Sequence, residues 1–160
     1  MVVIVMGVAG SGKTTVGRLL AAQMGWDFLD ADDFHPAANV EKMRHGIALT
    51  DADREPWLAA LATRILGLGA QGRSAVLACS ALKQAYRDRL NVDATVRFVH
   101  LTGDPALIRR RIEDRQRHYA HANLLVSQLT TLEAPAGVPS FDVAESPEQI
   151  VASIRANLGL

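Results

Sequence analysis

The stretch Gly7-Val8-Ala9-Gly10-Ser11-Gly12-Lys13-Thr14 lies near the start of this 160-residue chain and decides how the rest is interpreted. It matches G-x-x-x-x-G-K-[ST], the pattern of a loop whose backbone N–H groups surround a phosphate. The apolar run from Val2 to Met6 precedes it, as expected of a strand buried on both faces. After it, Val16, Leu19 and Leu20 recur at helical spacing. The pattern therefore sits between a strand and a helix, as its chemistry requires.

Each part of this loop has its own role in holding phosphate. The glycines let successive N–H groups turn inward, and the helix start adds the positive end of its dipole. Lys13 supplies a cation for the β- and γ-phosphates, and the Thr14 hydroxyl suits Mg²⁺. A plain glycine turn with a solvated lysine is the alternative, and the full pattern in context disfavours it. The spacing excludes the dinucleotide fingerprint, so ATP or GTP is favoured over NAD. The predicted nucleotide-binding residues are Gly7, Val8, Ala9, Gly10, Ser11, Gly12, Lys13, Thr14 and Thr15.

Further strands and helices alternate along the chain. Strands are predicted at Trp26 to Leu29, Ala75 to Ala78 and Val96 to Leu101, with a weak last one near Phe141 to Val143. A capped helix follows from Ser146. This alternation predicts a single α/β domain over residues 1–160 with a parallel sheet.

Composition excludes several classes of function. Seventeen basic and seventeen acidic residues give a formal net charge of zero, which disfavours a nucleic-acid or membrane-surface partner. Cys79 is the only cysteine, so an internal disulfide is impossible. The apolar start is too short to span a bilayer and lacks the basic leader of a signal peptide. We expect a cytoplasmic protein.

A cluster of acids follows the second predicted strand and contains Asp30, Asp32, Asp33 and His35. Ligands bind at the carboxyl ends of strands in open α/β sheets, so this segment is expected to face the catalytic crevice. If the backbone stays extended, Asp30 and Asp32 point the same way, one toward Mg²⁺ and the other toward an acceptor hydroxyl. The alternative is an acidic loop that caps the next helix, a reading that has most weight for Asp33.

An arginine stands just before a proline in Asp51-Ala52-Asp53-Arg54-Glu55-Pro56-Trp57-Leu58, and Pro56 is expected to open a helix. The planar guanidinium of Arg54 suits a carboxylate on the acceptor. An ordinary surface ion pair with Asp51 or Asp53 is the alternative. Trp57 is expected in the core.

The third strand ends at Cys79-Ser80-Ala81-Leu82-Lys83, again at the crevice edge. Ser80, Lys83 and Arg87 could bind an anionic acceptor, because they offer a hydroxyl and two cations at this edge. A solvated helix face is the alternative for Lys83 and Arg87, which are four residues apart. Cys79 is expected to be a small buried residue and not a nucleophile.

A run of arginines surrounds the end of the helix after the fourth strand. On a continuing helix, Arg111, Arg115 and His118 share one face, which could clamp ATP phosphates. Glu113 and Asp114 interrupt the positive charge, so an ion-paired surface is the alternative. The run comprises Arg109, Arg110, Arg111, Arg115 and Arg117.

Together these segments resemble the P-loop gluconate kinases, which are relatives of shikimate and nucleoside monophosphate kinases, over nearly all 160 residues. Beyond the phosphate loop, the resemblance is carried by Asp30-Ala31-Asp32 with His35-Pro36, Asn39-Val40-Glu41-Lys42-Met43 and Gly46, Asp51-Ala52-Asp53-Arg54 with Pro56-Trp57-Leu58, Cys79-Ser80-Ala81-Leu82-Lys83 with Tyr86-Arg87-Asp88, and His118-Tyr119 with Leu124-Leu125 and Ser127-Gln128. Two positions depart from it: Ala31, where the family often has glycine, and Ala120-His121-Ala122.

The resemblance implies transfer of the ATP γ-phosphate to the 6-hydroxyl of D-gluconate by a homodimer. It implies a three-layer nucleoside-kinase-like fold with strand order 2-3-1-4-5, a substrate-binding helical segment at about 33–70 and a helical lid at about 112–133. A kinase for another small anion, such as shikimate or a nucleotide, and an ATP-dependent switch are the alternatives. No Asn-Lys-x-Asp motif supports a GTPase.

The expected roles follow from the motifs and the resemblance together. The catalytic residues are Lys13, Asp32 and Arg115; Arg111 and Arg115 add to the nucleotide site; Asp32, His35, Arg54, Ser80, Lys83 and Arg87 bind the acceptor; and Thr14 and Asp30 hold Mg²⁺.

Overall fold

A five-stranded parallel sheet forms the centre of the computed structural model, which describes residues 1–115 and 120–160. The spatial order is β2-β3-β1-β4-β5, and every neighbouring pair is parallel. Both the strand order and the parallel direction confirm the sequence prediction. The strands are β1 Val2–Met6, β2 Asp27–Asp30, β3 Ala75–Ala78, β4 Val96–Thr102 and β5 Ser140–Asp142.

Helices cover both faces of the sheet, which gives the three layers that were predicted. They are α1 Lys13–Met24, a 3₁₀ helix Ala31–Phe34, α2 Ala37–Arg44, α3 Asp51–Ala70, α4 Gln84–Leu90, α5 Pro105–Arg115, α6 Ala120–Thr131 and α7 Pro147–Leu158. Of the helices in the described part of the chain, none has both the length and the apolar character needed to cross a membrane.

The position of β1 at the centre of the sheet explains why its sequence is apolar at every residue and does not alternate. Val3 and Val5 of β1 point into one core with α1 and α7, while Val2, Ile4 and Met6 point into a second core with α3 and α4. Successive side chains of a strand face opposite sides of the sheet, so a strand covered on both sides must be apolar at every position.

Most predicted boundaries lie within a residue or so of those observed. Strand β3 begins and ends where the sequence predicted, and β2 is displaced by one residue. The capping box before α7 is present, since the Ser146 hydroxyl accepts from the Gln149 N–H and the Gln149 side chain accepts from the Ser146 N–H. The capping of this helix could therefore be predicted from the sequence.

The start of α3 was predicted wrongly. The helix begins at Asp51 and not at Pro56, which lies within it. A capping box sets the start: the Thr50 hydroxyl accepts from the Asp53 N–H at 3.1 Å, and the Asp53 carboxylate accepts from the Thr50 N–H at 3.0 Å. Two N–H groups bonded at the helix end outweigh the single hydrogen bond that Pro56 removes.

Replacement of Thr50 tests this start. Thr50→Ala removes the cap and should lower the free energy of unfolding by about 1 kcal/mol in denaturant titration. Thr50→Ser keeps the hydroxyl and should retain most of the stability. Equal loss in both variants would show that the hydroxyl does not fix the start of α3.

Candidate active site

The phosphate loop packs so tightly that only glycine fits at two of its positions. Gly7 has φ 147°, and an added Cβ would lie 2.6 Å from the carbonyl oxygen of Leu101. Gly10 has φ 77°, and an added Cβ would lie 2.5 Å from Cγ1 of Ile112 on α5. Gly12, with φ 92°, leads the backbone into α1. The loop is therefore held between the end of β4 and α5, and side chains here would displace one or the other.

Lys13, the first residue of α1, folds back over this loop. Its Nζ donates to the carbonyl oxygen of Val8 at 2.9 Å, and the buried Ser11 donates its N–H to the same oxygen at 3.3 Å. Burial lowers the pKa of the Lys13 ammonium, while the negative charges of Asp32 and Asp30 oppose that shift. The cation predicted for the phosphates thus lies beside both acids.

Thr14 and Asp30 lie together at the end of the phosphate loop. The Thr14 hydroxyl donates to Oδ2 of Asp30 at 3.3 Å, and Thr14 and Thr15 are both exposed in the first turn of α1. Within the described ranges, no three His, Cys, Asp or Glu side chains gather to hold a metal by themselves. One hydroxyl and one carboxylate are the oxygen ligands that suit a Mg²⁺ held mainly by phosphate oxygens.

The backbone after Asp30 is not extended, so the predicted reason for pairing Asp30 with Asp32 was wrong. Residues Ala31–Phe34 form a 3₁₀ helix, and the Asp30 carboxylate caps it by accepting from the Asp32 N–H at 3.2 Å. The capping alternative was assigned mainly to Asp33, which is exposed. Asp30 is the capping residue, because its side chain precedes the turn that it closes.

Asp32 is nevertheless brought into the same crevice. Its side chain is exposed. The surrounding protein nevertheless removes part of the carboxyl's hydration, which raises its pKa, and the charge of Asp30 raises that pKa further. His35 and Lys13 oppose the shift. A raised pKa makes this carboxylate a better proton acceptor than an isolated aspartate.

His35 forms part of the wall behind Asp32. Its ring stacks on Trp57 of α3, with centroids 4.6 Å apart and an interplanar angle of 9°. Partial burial lowers the pKa of His35, and Asp32 opposes that shift. Trp57 is 1% exposed, as expected of a core residue, and donates its indole N–H to the Ala31 carbonyl at 2.7 Å. These contacts join α3 to the acidic segment.

The cations predicted for the acceptor gather around Tyr86. The Arg54 guanidinium lies 5.8 Å from the centre of the Tyr86 ring, and Nζ of Lys83 lies 5.6 Å from it. Lys83 also donates to both oxygens of Asp51, at 2.8 and 2.9 Å, and the Tyr86 hydroxyl donates to the same carboxylate. Sequence reasoning missed Tyr86 and Asp51 as functional candidates, although both lie in motifs that carried the resemblance.

The ion pair proposed as the alternative for Arg54 does not form. Within the described part of the chain, Arg54 makes no salt bridge, because Asp51 binds Lys83 and Asp53 binds Lys42 at 2.7 Å. The hydrogen bond from Lys42, followed by those from Thr50, lowers the pKa of Asp53 to about 2. Both acids are thus committed elsewhere, which leaves the Arg54 fork available for an anion.

Arg87 is buried and makes contacts that were not predicted from the sequence. It is 3% exposed, and its guanidinium donates to the carbonyls of Ala81 at 2.9 Å, Leu82 at 3.1 Å and Glu133 at 3.1 Å, as well as to the Gln84 side chain. The solvated helix face named as the alternative does not describe this buried group, and contact of Arg87 with the acceptor stays a prediction. Its donors instead hold the loop between β3 and α4.

Ser80 and Cys79 lie at the end of β3 as expected. The Ser80 carbonyl accepts from the Gly7 N–H at 3.4 Å, so the two crevice loops are joined by backbone. Contact of its hydroxyl with an acceptor stays a prediction. Burial raises the pKa of Cys79 to about 12, which is consistent with a small buried residue without a thiolate role.

The predicted lid arginines are only partly described. Arg109 and Arg110 are exposed and Arg111 is half-buried, while the apolar stripe of α5 packs beneath the phosphate loop. The side chain of Arg115, and Arg117 and His118, lie outside the described residues, so their roles stay predictions. Sequence reasoning missed Gln128 of α6, whose Oε1 accepts from the Ala9 N–H at 2.6 Å. Its only signal was membership of the Ser127-Gln128 pair.

Comparison with known proteins agrees with this geometry. The sequence model of an AAA domain family matches residues 2–135. The gluconokinase of Gluconobacter oxydans (strain 621H) is 48% identical over 133 residues, which cover 82% of this chain and 75% of the relative. A Xenopus tropicalis protein named a probable gluconokinase is 41% identical, covering 99% of this chain and 93% of its own length.

The crystal structure of a gluconokinase from Sinorhizobium meliloti 1021 superposes with a TM-score of 0.84 at 40% identity, covering 98% of this chain and 94% of that one. With a phosphate loop and a cationic pocket on one sheet edge, and relatives alike over nearly its whole length, this chain belongs to the gluconokinase family of P-loop kinases.

Proposed function

We propose that this protein transfers the γ-phosphate of ATP to the 6-hydroxyl of D-gluconate. The observation that carries the proposal is that the phosphate loop follows β1, while Lys83, which shares the Tyr86 ring with Arg54, follows the neighbouring parallel strand β3. An acceptor that is both an anion and a polyol fits such a site. The relatives described above are named gluconokinases or probable gluconokinases, which supports gluconate as that acceptor. A shikimate-like or nucleotide acceptor, and an ATP-dependent switch, have no comparable observation in their favour.

The nucleotide side positions the group to be transferred. Loop N–H groups and the start of α1 bind the phosphates, and the Lys13 ammonium moves from the Val8 carbonyl to the β- and γ-phosphates. Thr14 and Asp30 would hold Mg²⁺, which neutralises charge on the transferring phosphate. We expect Arg111 and Arg115 to add positive charge beside the phosphates. Catalysis here consists mainly of positioning and charge stabilisation.

The acceptor side presents the attacking hydroxyl. Asp32 orients it and accepts its proton, a role favoured by the raised pKa of this carboxyl. The Arg54 fork binds the substrate carboxylate, and Lys83, whose charge is partly offset by Asp51, adds a second cation. His35 and Ser80 are available as partners for the remaining hydroxyls. The homodimer implied by the resemblance and the cytoplasmic location expected from the composition both stay predictions.

A panel of acceptors tests the proposed function. The purified protein, with ATP and Mg²⁺, should phosphorylate D-gluconate far faster than shikimate, nucleoside monophosphates or glucose in a coupled ADP-release assay. Lys13→Ala, purified in parallel, should be nearly inactive because the γ-phosphate loses its cation. Equal rates in both preparations would indicate a contaminating kinase. ATP turnover that is independent of any acceptor would favour the switch.

Arg54→Ala tests how the carboxylate is bound. Loss of a charged hydrogen bond costs about 1.5–3 kcal/mol, so KM for gluconate should rise roughly 10- to 100-fold with little change in KM for ATP. Arg64→Ala on the same helix is the matched control and should leave both constants unchanged. An unchanged KM for gluconate in Arg54→Ala would remove Arg54 from the acceptor site.

Asp32→Asn separates a chemical from a structural role. Turnover should fall about a hundredfold while ATP binding survives, and Asp33→Asn should be nearly neutral. Because the folded-state pKa of Asp32 is raised, its protonated form favours the fold at low pH, and that contribution is lost as pH rises through the folded pKa. At pH 7 the charged group therefore destabilises the fold, and Asp32→Asn should raise the melting temperature. Loss of Mg²⁺-dependent ATP binding would make Asp32 a metal ligand instead.

A further inference from the structure

The C-terminal end of α6 and the residues just after it contact both loops of the crevice. The Gln128 side chain accepts from the Ala9 N–H of the phosphate loop at 2.6 Å. Five residues later, the Glu133 carboxylate accepts from the Gln84 N–H at the start of α4, also at 2.6 Å. The Leu132 N–H bonds to the Gln128 carbonyl at 2.9 Å, so helical bonding continues between the two contact points. One short segment therefore joins the two loops.

Glu133 is fixed to the loop after β3 through both backbone and side chain. Its N–H donates to the Leu82 carbonyl at 2.9 Å, and its own carbonyl accepts from the buried Arg87 at 3.1 Å. Arg87 also bonds to the Ala81 carbonyl, and Ala81 has φ 43°, a left-handed conformation that is unfavourable for a residue with a Cβ. Such a conformation persists only where surrounding contacts hold it. The Arg87 and Glu133 contacts are of that kind.

The carboxylate of Glu133 also supplies the cap that α4 lacks. Lys83 occupies the N-cap position and forms no side-chain capping bond. A carboxylate at a helix N-terminus satisfies a free N–H and interacts favourably with the helix dipole. This first turn carries Lys83 and Tyr86, whose ammonium and hydroxyl meet at Asp51. Glu133 thus bonds to the turn from which Lys83 and Tyr86 extend.

We propose that Gln128 and Glu133 are positioning residues that couple the nucleotide site to the acceptor site. A phosphate loop set by ATP holds Gln128, the segment to Glu133 holds the first turn of α4, and Lys83 is presented to the acceptor. Coupling of this kind is reciprocal, so gluconate tightens ATP binding by the same factor as ATP tightens gluconate binding. The proposal rests on the proposed function, because it uses Lys83 and Tyr86 as acceptor-side residues.

Calorimetric titration with a non-hydrolysable ATP analogue measures this coupling. The ratio of the analogue's Kd without gluconate to its Kd with saturating gluconate should be about fivefold or more in the wild type. Glu133→Ala should bring the ratio close to one and raise KM for gluconate about tenfold. Glu133→Gln keeps an oxygen acceptor for the Gln84 N–H and should restore most of both values. Gln128→Met keeps the approximate size of the side chain but removes the oxygen that accepts from the Ala9 N–H, so it should also bring the ratio close to one.

Thr130→Ala, at an exposed position on the same helix, is the matched control and should keep the wild-type ratio. A wild-type ratio of one, or a wild-type ratio retained in both Glu133→Ala and Gln128→Met, would overturn the proposal. A lower melting temperature with an unchanged ratio would mean that these residues are only structural, which overturns it too. If Glu133→Ala does not fold, Gln128→Met alone decides, since it alters no contact of α4. Failure of the wild type to phosphorylate gluconate is a separate result: it removes the proposed function and, with it, the acceptor half of the coupling.

Discussion

The close packing of the phosphate loop against its surroundings is the constraint on which the rest of the site depends. Gly7 lies against the end of β4 and Gly10 against Ile112 of α5, at distances that exclude any Cβ. That packing turns the loop N–H groups toward the crevice and sets where α1 starts, and with it Lys13 and Thr14. It also brings Ala9 within reach of Gln128 on α6. Three helices are thus arranged around one loop because glycine allows the backbone to approach them.

The surroundings of each carboxylate determine its task in a chain with no net charge. Hydrogen bonds from Lys83 lower the pKa of Asp51, and those from Lys42 and Thr50 lower the pKa of Asp53, so both remain charged structural partners. The pKa of Asp32 shifts in the opposite direction, because partial loss of hydration and the charge of Asp30 both raise it. The partners of each acid therefore separate the structural roles of Asp51 and Asp53 from the chemical role proposed for Asp32.

The proposed acceptor side is formed at the starts of two helices. Thr50 and Asp53 begin α3, which brings Arg54 toward the crevice and places Trp57 beneath His35. Glu133 caps α4, whose first turn presents Lys83 and Tyr86. The buried Arg87 guanidinium keeps this arrangement together by bonding to the backbone carbonyls of Ala81, Leu82 and Glu133. Charged groups in the crevice are consequently held by polar groups behind it.

Much of the architecture could be predicted from the sequence because its signals are local. The apolar run of β1, the phosphate loop and the capping box of α7 each lie within a few consecutive residues, so neighbouring atoms alone make them favourable. Alternation of strands and helices then predicted the parallel sheet, and the resemblance supplied its order. Asp32 and Lys83 could be proposed as site residues because they follow strands, and Arg54 because its guanidinium suits an anion.

Only the tertiary structure determined which residues these side chains contact. Arg87 lies in a stretch whose spacing fits a surface helix, yet packing of Glu133, 46 positions later in the chain, closes over it and buries its charge. Gln128 and Ala9 are 119 residues apart in sequence, and no local pattern links them. The sequence by itself determined the phosphate loop and the sheet that carries it. The contacts joining that loop to the acceptor side required folding, because a hydrogen bond between distant residues depends on the whole core that brings them together.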